Sequence, residues 1–300
     1  MSIAIDAPLP KPLKYQMMRL AFDQILSAAQ AAAMPHRPFA LITGASAGLG
    51  AAFARAYAAR GTDVGLVARR RDRLESLAAQ LQAEHGIEAV PIVADLAEFG
   101  VETAVLQAVA DRGRAVDILV NNAGFSIPQS FAAVPWARQR DFLMTLVVSA
   151  CGLAHEVIPG MAARGRGSII TVASMAAFAP GAAGHSLYPG AKSLAVKFSQ
   201  ALDAEYRKAG IRVTAVCPGF VKTEFAEANN TQHLMDESPR LFWQSADAVV
   251  EATIRANDRG KVVVVPGWHN QVAAILLRYL PEPWVSAAVR AGSAKYHLEA

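Results

Sequence analysis

The residues with the clearest chemical potential are Tyr188 and Lys192, in the stretch YPGAK. Residues four apart in a helix lie on one face, so the phenol and the ammonium group would be neighbours. A phenol beside an ammonium group is capable of acid–base chemistry. Because this spacing also occurs by chance in many helices, the rest of the chain has to supply the context.

A glycine-rich turn, TGASAGLG at residues 43–50, follows the first apolar run and leads into a helical segment. Glycine permits a tight turn and lets the backbone approach a pyrophosphate, while the start of the helix offers free N–H groups. The turn therefore predicts a nucleotide site whose contacts are Gly44, Ser46, Gly48, Leu49 and Gly50.

The segment ARRRDRL, after the second apolar run, indicates which nucleotide is bound. An acidic residue at this position would accept the ribose 2′-hydroxyl, whereas arginine pairs with a 2′-phosphate. The chain has Arg69 here and no acidic residue before Asp72, and Ser46 could add a hydroxyl contact. We therefore expect NADP(H) rather than NAD(H), with Arg70 stacked on the phosphate or flanking it.

The elements that must position these residues alternate along the chain. Short runs rich in Val and Ile alternate with longer segments of helical period, which predicts a single Rossmann-type α/β domain: a doubly wound, seven-stranded parallel sheet with helices on both faces. The predicted strands are 39–43, 63–68, 89–94, 116–120, 168–173, 212–217 and 261–265, and the main predicted helices are 48–60, 71–85, 98–112, 136–163 and 188–209.

Ligands in such sheets bind beyond the carboxyl ends of the strands, where polar and small residues follow the later runs directly. At this edge Ser174 can converge with Tyr188 and Lys192 beside the nucleotide. We expect the adenine to be flanked by Asp95 and Leu96. The remaining predicted cofactor contacts are Asn121, Asn122, Ala123, Gly124, Pro218, Gly219, Val221 and Thr223, together with Tyr188 and Lys192.

Taken together, the motifs resemble the short-chain dehydrogenase/reductase superfamily in its compact, non-extended branch. TGASAGLG, NNAG, the serine of VASM, YPGAK and PGFVKT follow the family's order over about residues 37–268. The resemblance implies an NADP(H)-dependent oxidoreductase that interconverts a ketone or aldehyde and an alcohol. Tyr188 would be the general acid in reduction, Lys192 would lower its pKa and hold the nicotinamide ribose, and Ser174 would hydrogen-bond the substrate oxygen.

Position 146 departs from the family pattern. The family usually has an asparagine thirteen residues before the proline that is Pro159 here, and this asparagine helps to hold a water for proton relay. The counted residue is Leu146, and no asparagine occurs in 125–160. This leaves open a nucleotide-binding regulatory or scaffold protein with weakened catalysis. The fourteen residues from Ser174 to Tyr188 are also a long spacing, with Ser186 as a less favoured substitute.

The segment 222–245 is polar with apolar members, and in the family this region covers the substrate. We expect a lid over a bulky, hydrophobic carbonyl or alcohol substrate, and a plain surface excursion is the alternative. His185, near the tyrosine, is a candidate for the mouth of the substrate site.

Three parts of the chain are predicted: an amphipathic helical arm at 1–36, the Rossmann domain at 37–268 and an apolar tail at 269–300. We expect the arm to pack on the domain or on a partner subunit, and the tail to cover the active-site side or, as the next choice, to pack in an oligomer. Contact of these apolar ends with a membrane surface, with the domain then reducing lipid-like substrates, is left open. The longest apolar run, 142–154, is too short to span a bilayer, and the N-terminus lacks the pattern of a secretion signal. We therefore expect a cytoplasmic protein, with peripheral membrane association left open.

Composition narrows the possible partners. The chain has 300 residues, 53% of them hydrophobic, and a net charge of only +4, so a nucleic-acid partner is not expected. Cys151 and Cys217 lie in apolar runs, which is typical of buried thiols in a reducing compartment. The histidines show no metal-ligand spacing, and hydride transfer from a nicotinamide needs no metal. The family commonly dimerises through the helices that correspond to 136–163 and 188–209, so a homodimer or homotetramer is expected.

Overall fold

The computed structural model describes residues 37–181, 183–225, 229 and 243–293. Its main sheet contains the strands β1 (Phe39–Thr43), β2 (Asp63–Ala68), β3 (Ala89–Val93), β4 (Ile118–Asn121), β5 (Gly167–Val172), β6 (Ile211–Val216) and β9 (Val263–Val264). All neighbours are parallel, in the order β3-β2-β1-β4-β5-β6-β9. The predicted seven-stranded, doubly wound parallel sheet is confirmed.

Helices cover both faces of this sheet. They are α1 (Gly48–Ala58), α2 (Arg71–His85), α3 (Val101–Ala110), α4 (Trp136–Leu143), α5 (Ser149–Ala163), α6 (Tyr188–Tyr206), α7 (Ala246–Asp258), α8 (Trp268–Tyr279) and α9 (Glu282–Ser293). A π-helical turn, Met144–Val148, joins α4 to α5, and short 3-10 turns occupy Phe131–Ala133, Met175–Phe178 and Arg207–Ala209.

The first strand shows how the sequence divides the core into two layers. Successive side chains of a strand point to opposite faces. Ala40 and Ile42 pack in one cluster with residues of α1, α2 and α7, whereas Phe39 and Leu41 pack in a second cluster with residues of α3, α5 and α6. Because both faces of β1 are buried, the strand reads as a continuous apolar run.

Among the described residues, the helix Trp136–Ala163 is long and apolar enough to cross a membrane by length and composition, with a mean hydropathy of 1.6. Core helices also pass this test. Leu153, Ala154 and Met161 on this helix have no exposed surface and lie in the second core cluster. Packing against the sheet therefore accounts for part of its apolar character.

The regions beyond β6 differ most from a plain strand–helix alternation. Two short strands, β7 (Phe220–Lys222) and β8 (Trp243–Ser245), pair in parallel as a separate small sheet. The segment predicted as an apolar tail contains the helix α9, and α8 begins one residue before that segment, at Trp268. From Arg37 onward the described residues form one compact unit, which includes these two helices. The predicted arm at 1–36 and most of the predicted lid lie outside the described residues.

Candidate active site

The glycine turn between β1 and α1 is too tight for side chains at two positions. Gly44 has a φ of +66°, and a Cβ there would lie 2.7 Å from the side-chain nitrogen of Asn122. A Cβ on Gly50 would lie 2.2 Å from the carbonyl oxygen of Gly44. Because real Cβ atoms do not approach backbone so closely, the turn depends on glycine and leaves its backbone open at the start of α1.

Thr43 and Asn122 hold the ends of β1 and β4 together beside this turn. The Thr43 hydroxyl donates to the carbonyl oxygen of Val120 at 3.2 Å and accepts from the backbone N–H groups of Asn122 at 2.9 Å and Ala123 at 3.0 Å. The Asn122 side chain donates to the carbonyl oxygen of Thr43 at 2.8 Å. The NNAG segment is therefore fixed next to the glycine turn, as its predicted role requires.

The arginines after β2 reach different partners. Arg70 donates to the Ser46 hydroxyl through Nη2 at 3.0 Å and through Nε at 3.2 Å. Arg69 instead approaches Asp95, at 3.7 Å between Nη1 and Oδ2. The structure thus brings Arg70 and Ser46 together in the glycine turn and places Arg69 beside the residue predicted to flank the adenine.

The acidic Glu224 joins Arg70 to a further arginine, Arg73. Nη1 of Arg73, for which we predicted no role, lies 2.6 Å from Oε2 of Glu224, and Nη1 of Arg70 lies 3.5 Å from the same oxygen. Hydrogen bonding to Arg73, followed by the charges of both guanidinium groups, lowers the pKa of Glu224, so its carboxylate is ionised at neutral pH. Sequence reasoning did not find Glu224, because it follows Arg70 by more than 150 residues.

The tyrosine and the lysine are brought together at the start of α6. Tyr188 is the first residue of the helix, and the Nζ atom of Lys192 lies 5.6 Å from the centre of its ring. Lys192 is only 8% exposed, and its Nζ donates to the carbonyl oxygen of Val172 at 2.8 Å. Burial lowers the pKa of Lys192 to about 8. A surface pair formed by chance would not have this geometry.

Ser174 lies two residues beyond Val172, just past the carboxyl end of β5. Its hydroxyl oxygen accepts from the backbone N–H of Ala176 at 3.1 Å, and the N–H of Met175 donates to the carbonyl oxygen of Pro218 at 3.0 Å. These bonds fix the position of the serine oxygen. The Ser174 Oγ donates to no group among the described residues, so the hydroxyl hydrogen is available to a bound substrate.

A small pocket opens beside Tyr188, and His185 lines it. The His185 ring lies 5.7 Å from the Tyr188 ring, and its Nδ1 is 3.2 Å from the Ser126 hydroxyl. Burial lowers the pKa of His185, so the imidazole is neutral at pH 7. The pocket combines apolar and amide groups, and its lining residues are Ile127, Gln129, Gln139, Phe142, His185, Ser186, Leu187 and Tyr188.

Leu146, which stands in place of the family's asparagine, lies in the π-helical turn. It packs in an apolar cluster with Ile127, Phe142 and Ala191. Next to it is a cavity of about 10 Å³, which is close to the smallest that admits one water molecule. Its polar walls are Thr43, Asn121, Thr145, Thr171 and Lys192.

Asn121 adds a polar group that sequence reasoning had not assigned to this cavity. Its side-chain nitrogen donates to the carbonyl oxygen of Ala150 at 2.9 Å. Its Oδ1 is buried and accepts no hydrogen bond from any described residue. A buried acceptor of this kind is usually satisfied by an ordered water.

The predicted contacts after β6 lie against two different parts of the molecule. Thr223 is close to the glycine turn, because a Cβ on Gly48 would lie 3.2 Å from the Cβ of Thr223. A Cβ on Gly219 would lie 2.5 Å from the buried side chain of Asn270, which comes from α8. Sequence reasoning missed Asn270 because nothing in the local sequence links α8 to this turn.

The short chain dehydrogenase family model matches residues 38–234. An uncharacterized oxidoreductase of Myxococcus xanthus is 33% identical over 251 residues, which cover 84% of this chain and 96% of that protein.

Two solved structures are also similar. One is a short-chain dehydrogenase from Sphingobium yanoikuyae in complex with NADPH, with 32% identity, a TM-score of 0.71 and coverage of 79% of this chain and 92% of that one. The other is a bulky-bulky ketone specific alcohol dehydrogenase from Comamonas testosteroni, with 27% identity, a TM-score of 0.67 and coverage of 87% and 95%.

Proposed function

Because the chain belongs to the short-chain dehydrogenase family, whose members are oxidoreductases, we propose that it interconverts a bulky hydrophobic ketone and its alcohol with NADP(H). In this proposal Ser174, Tyr188 and Lys192 carry out the proton chemistry. The observation that carries it is the buried Lys192, whose ammonium group is held by Val172 beside the Tyr188 ring.

The residues of the glycine turn and Arg70 fit a phosphorylated dinucleotide. The glycine turn leaves no room for side chains where backbone must approach the pyrophosphate. Arg70 and the Ser46 hydroxyl, already in contact, supply a guanidinium group and a hydroxyl for a 2′-phosphate. The NADPH complex of the Sphingobium enzyme supports the same choice of cofactor.

The chain's own residues then have separate tasks in reduction. The bound nicotinamide supplies the hydride. Tyr188 donates its phenolic proton to the carbonyl oxygen of the substrate, and the Lys192 ammonium favours the tyrosinate that results. Ser174, whose oxygen is fixed by Ala176, donates its free hydrogen to the same substrate oxygen as negative charge develops there.

The substrate class follows from the pocket beside Tyr188. Phe142 and Leu187 give it apolar walls, and the neutral His185 adds polarity without a charge. Because none of its lining residues is charged at neutral pH, the pocket favours an uncharged carbonyl substrate over a carboxylate. The bulky-ketone specificity named for the Comamonas enzyme supports this class.

The test is NADPH consumption with a panel of bulky ketones by the wild type and by Tyr188→Phe, with NADH as the comparison. We expect turnover with NADPH and a loss of about 10²–10⁴-fold in the variant, because general acid catalysis contributes that much. No turnover by the wild type, with NADPH binding intact, would instead support a cofactor-binding scaffold.

A second candidate concerns where the enzyme works. On α8, Trp268, Val272, Ile275, Leu276 and Tyr279 are all exposed, and their spacing puts them on one helical face; we call them the C-terminal stripe. Trp268 is 68% exposed and Tyr279 is 80% exposed. Trp and Tyr around an exposed apolar face are typical of helices that lie in a membrane interface. We propose that this stripe contacts a lipid surface.

Flotation of the full chain with vesicles of phosphatidylcholine and phosphatidylglycerol tests this candidate. We expect the wild type to float and the double variant Trp268→Ser, Ile275→Ser to float much less. Phe99→Ser is the matched control, because Phe99 is 95% exposed but lies outside the stripe. A wild type that stays with the soluble fraction at every vesicle concentration would exclude the candidate.

A further inference from the structure

One acidic side chain lies inside the basic group that is proposed to bind the 2′-phosphate. The Glu224 carboxylate contacts Arg73 at 2.6 Å and Arg70 at 3.5 Å, in both cases through Oε2. Arg70 is at the same time bonded to Ser46 in the glycine turn. A carboxylate and a phosphate both bind guanidinium groups, so the two anions would use the same donors.

The backbone around Glu224 fixes its position. It follows β7, and Thr223 lies against Gly48 of the turn. The Thr223 hydroxyl in turn accepts from the N–H of Phe225 at 3.3 Å. Glu224 therefore lies on a segment that packs against the glycine turn, and this packing keeps its carboxylate close to Arg70 and Arg73.

We propose that Glu224 is a specificity-determining residue that competes with the cofactor 2′-phosphate for Arg70 and Arg73, and so weakens NADP(H) binding relative to NAD(H). This inference rests on the proposed function, because it assumes that the 2′-phosphate binds at these arginines. Within the three side chains, the net charge is +1 with Glu224 present and +2 without its charge. A phosphate monoester carries about −1.5 to −2 at pH 7, so it interacts more strongly with the second arrangement.

The competition is modest because all three side chains are partly exposed, at 44% for Arg70, 43% for Arg73 and 50% for Glu224. From the usual range for exposed pairs, removal of the charge should tighten binding of a 2′-phosphate by about 1.4- to five-fold at low ionic strength. The gain should shrink as salt is added, because exposed charges are screened.

The experiment measures binding of 2′,5′-ADP and 5′-AMP to the full chain by calorimetry, with wild type, Glu224→Gln and Glu75→Gln. Glutamine keeps the shape of the side chain and removes its charge. Glu75 is the matched control, because it is also paired with an arginine of this segment, Arg71 at 3.4 Å, and is 55% exposed. We expect tighter binding of 2′,5′-ADP by Glu224→Gln alone, with 5′-AMP binding unchanged in all three proteins.

Two outcomes would overturn the inference, and they differ in what else they affect. If the wild type prefers 2′,5′-ADP over 5′-AMP but Glu224→Gln binds it with unchanged or lower affinity, only the role of Glu224 is wrong. If the wild type shows no preference and Arg70→Ala changes neither affinity, the proposed NADP(H) specificity fails as well. Equal thermal unfolding of the variants establishes that the affinities compare folded proteins.

Discussion

The basic side chains of the candidate cofactor site lie in opposite surroundings: Lys192 forms what we call its buried end, and Arg70 and Arg73 form its exposed end. Lys192 is 8% exposed and is held by one backbone carbonyl. Arg70 and Arg73 are 44% and 43% exposed and share an acidic partner. Electrostatic interactions are strong around the buried Lys192, whereas water and salt weaken those of the exposed Arg70 and Arg73.

This difference separates chemistry from recognition. Burial lowers the pKa of Lys192 to about 8, which brings its ionisation close to the pH at which enzymes work. The guanidinium groups of Arg70 and Arg73 can only attract or orient an anion. Changes at the buried end should therefore affect turnover strongly, and changes at the exposed end should affect cofactor affinity weakly and in a salt-dependent way.

Lys192→Met should have the largest effect in this comparison. It removes the ammonium group that favours the tyrosinate, so we expect kcat/KM for a ketone to fall by about 10²-fold or more. Lys197→Met is the control, since Lys197 is on the same helix but exposed. If Lys192→Met kept activity within a few-fold of the wild type, while Lys197→Met did the same, the buried pair would not be the catalytic one.

The pH dependence of reduction should come next. Burial disfavours the charged form, so Lys192 is an ammonium below a pH of about 8 and neutral above it. Because the charged form is the one that assists Tyr188, kcat/KM should be level below this pH and fall about tenfold per unit above it. Lys192→Arg keeps its charge throughout, so its residual activity should lack this inflection. A wild-type profile that stays flat up to pH 10 would contradict the assignment.

The sheet and the helices around it could be predicted because their signals are local. Residues 63–68 and 71–85 were predicted with the bounds that β2 and α2 have in the structure. The strand is a continuous apolar run, and the helix buries only Leu74, Leu77, Ala78 and Leu81, at spacings of three and four residues. No distant contact is needed to define either element.

The sequence could not show which of the neighbouring arginines reaches the glycine turn. Arg70 is the N-cap of α2, with φ −87° and ψ 93°, and its side chain bonds to Ser46. Arg69, one residue earlier, meets Asp95. Side-chain direction at the junction of a strand and a helix depends on these dihedral angles, which a run of three arginines does not specify.

Contacts over long sequence distances were also missed. Glu224 reaches Arg73 across 151 residues, and Asn270 packs on the turn at Gly219 from a segment predicted only as apolar. Neither contact leaves a periodic pattern in the sequence. The predicted roles of Ser174, Tyr188 and Lys192 stay predictions until activity is measured.

Arg70→Ala tests the exposed end. It removes the guanidinium group that bonds to Ser46, so we expect NADPH affinity to fall by about five- to thirty-fold at low salt, with NADH affinity nearly unchanged. Arg71→Ala should change neither, because Arg71 pairs with Glu75 and has no contact with the turn among the described residues. The measurement is KM for each cofactor at two ionic strengths. A fall in kcat with unchanged KM would contradict the division between recognition and chemistry.

Leu146→Asn tests whether burial alone makes a residue important for turnover. We expect that it does not, because Leu146 is buried but has no proposed role in the chemistry. The cavity beside Leu146 already has Asn121, Thr145 and Thr171 among its polar walls, and Lys192 keeps its bond to Val172. We therefore expect kcat to change by less than about three-fold, while an amide placed in the apolar cluster of Phe142 lowers the free energy of unfolding by about 1–3 kcal/mol. Steady-state kinetics and thermal unfolding on the same preparation check both numbers.

A rise in kcat of tenfold or more would mean that Leu146 weakens the enzyme, and would favour a protein kept mainly for cofactor binding. The expected result would instead show that a role in the proton chemistry of Tyr188, and not depth in the core, decides which substitutions matter for turnover.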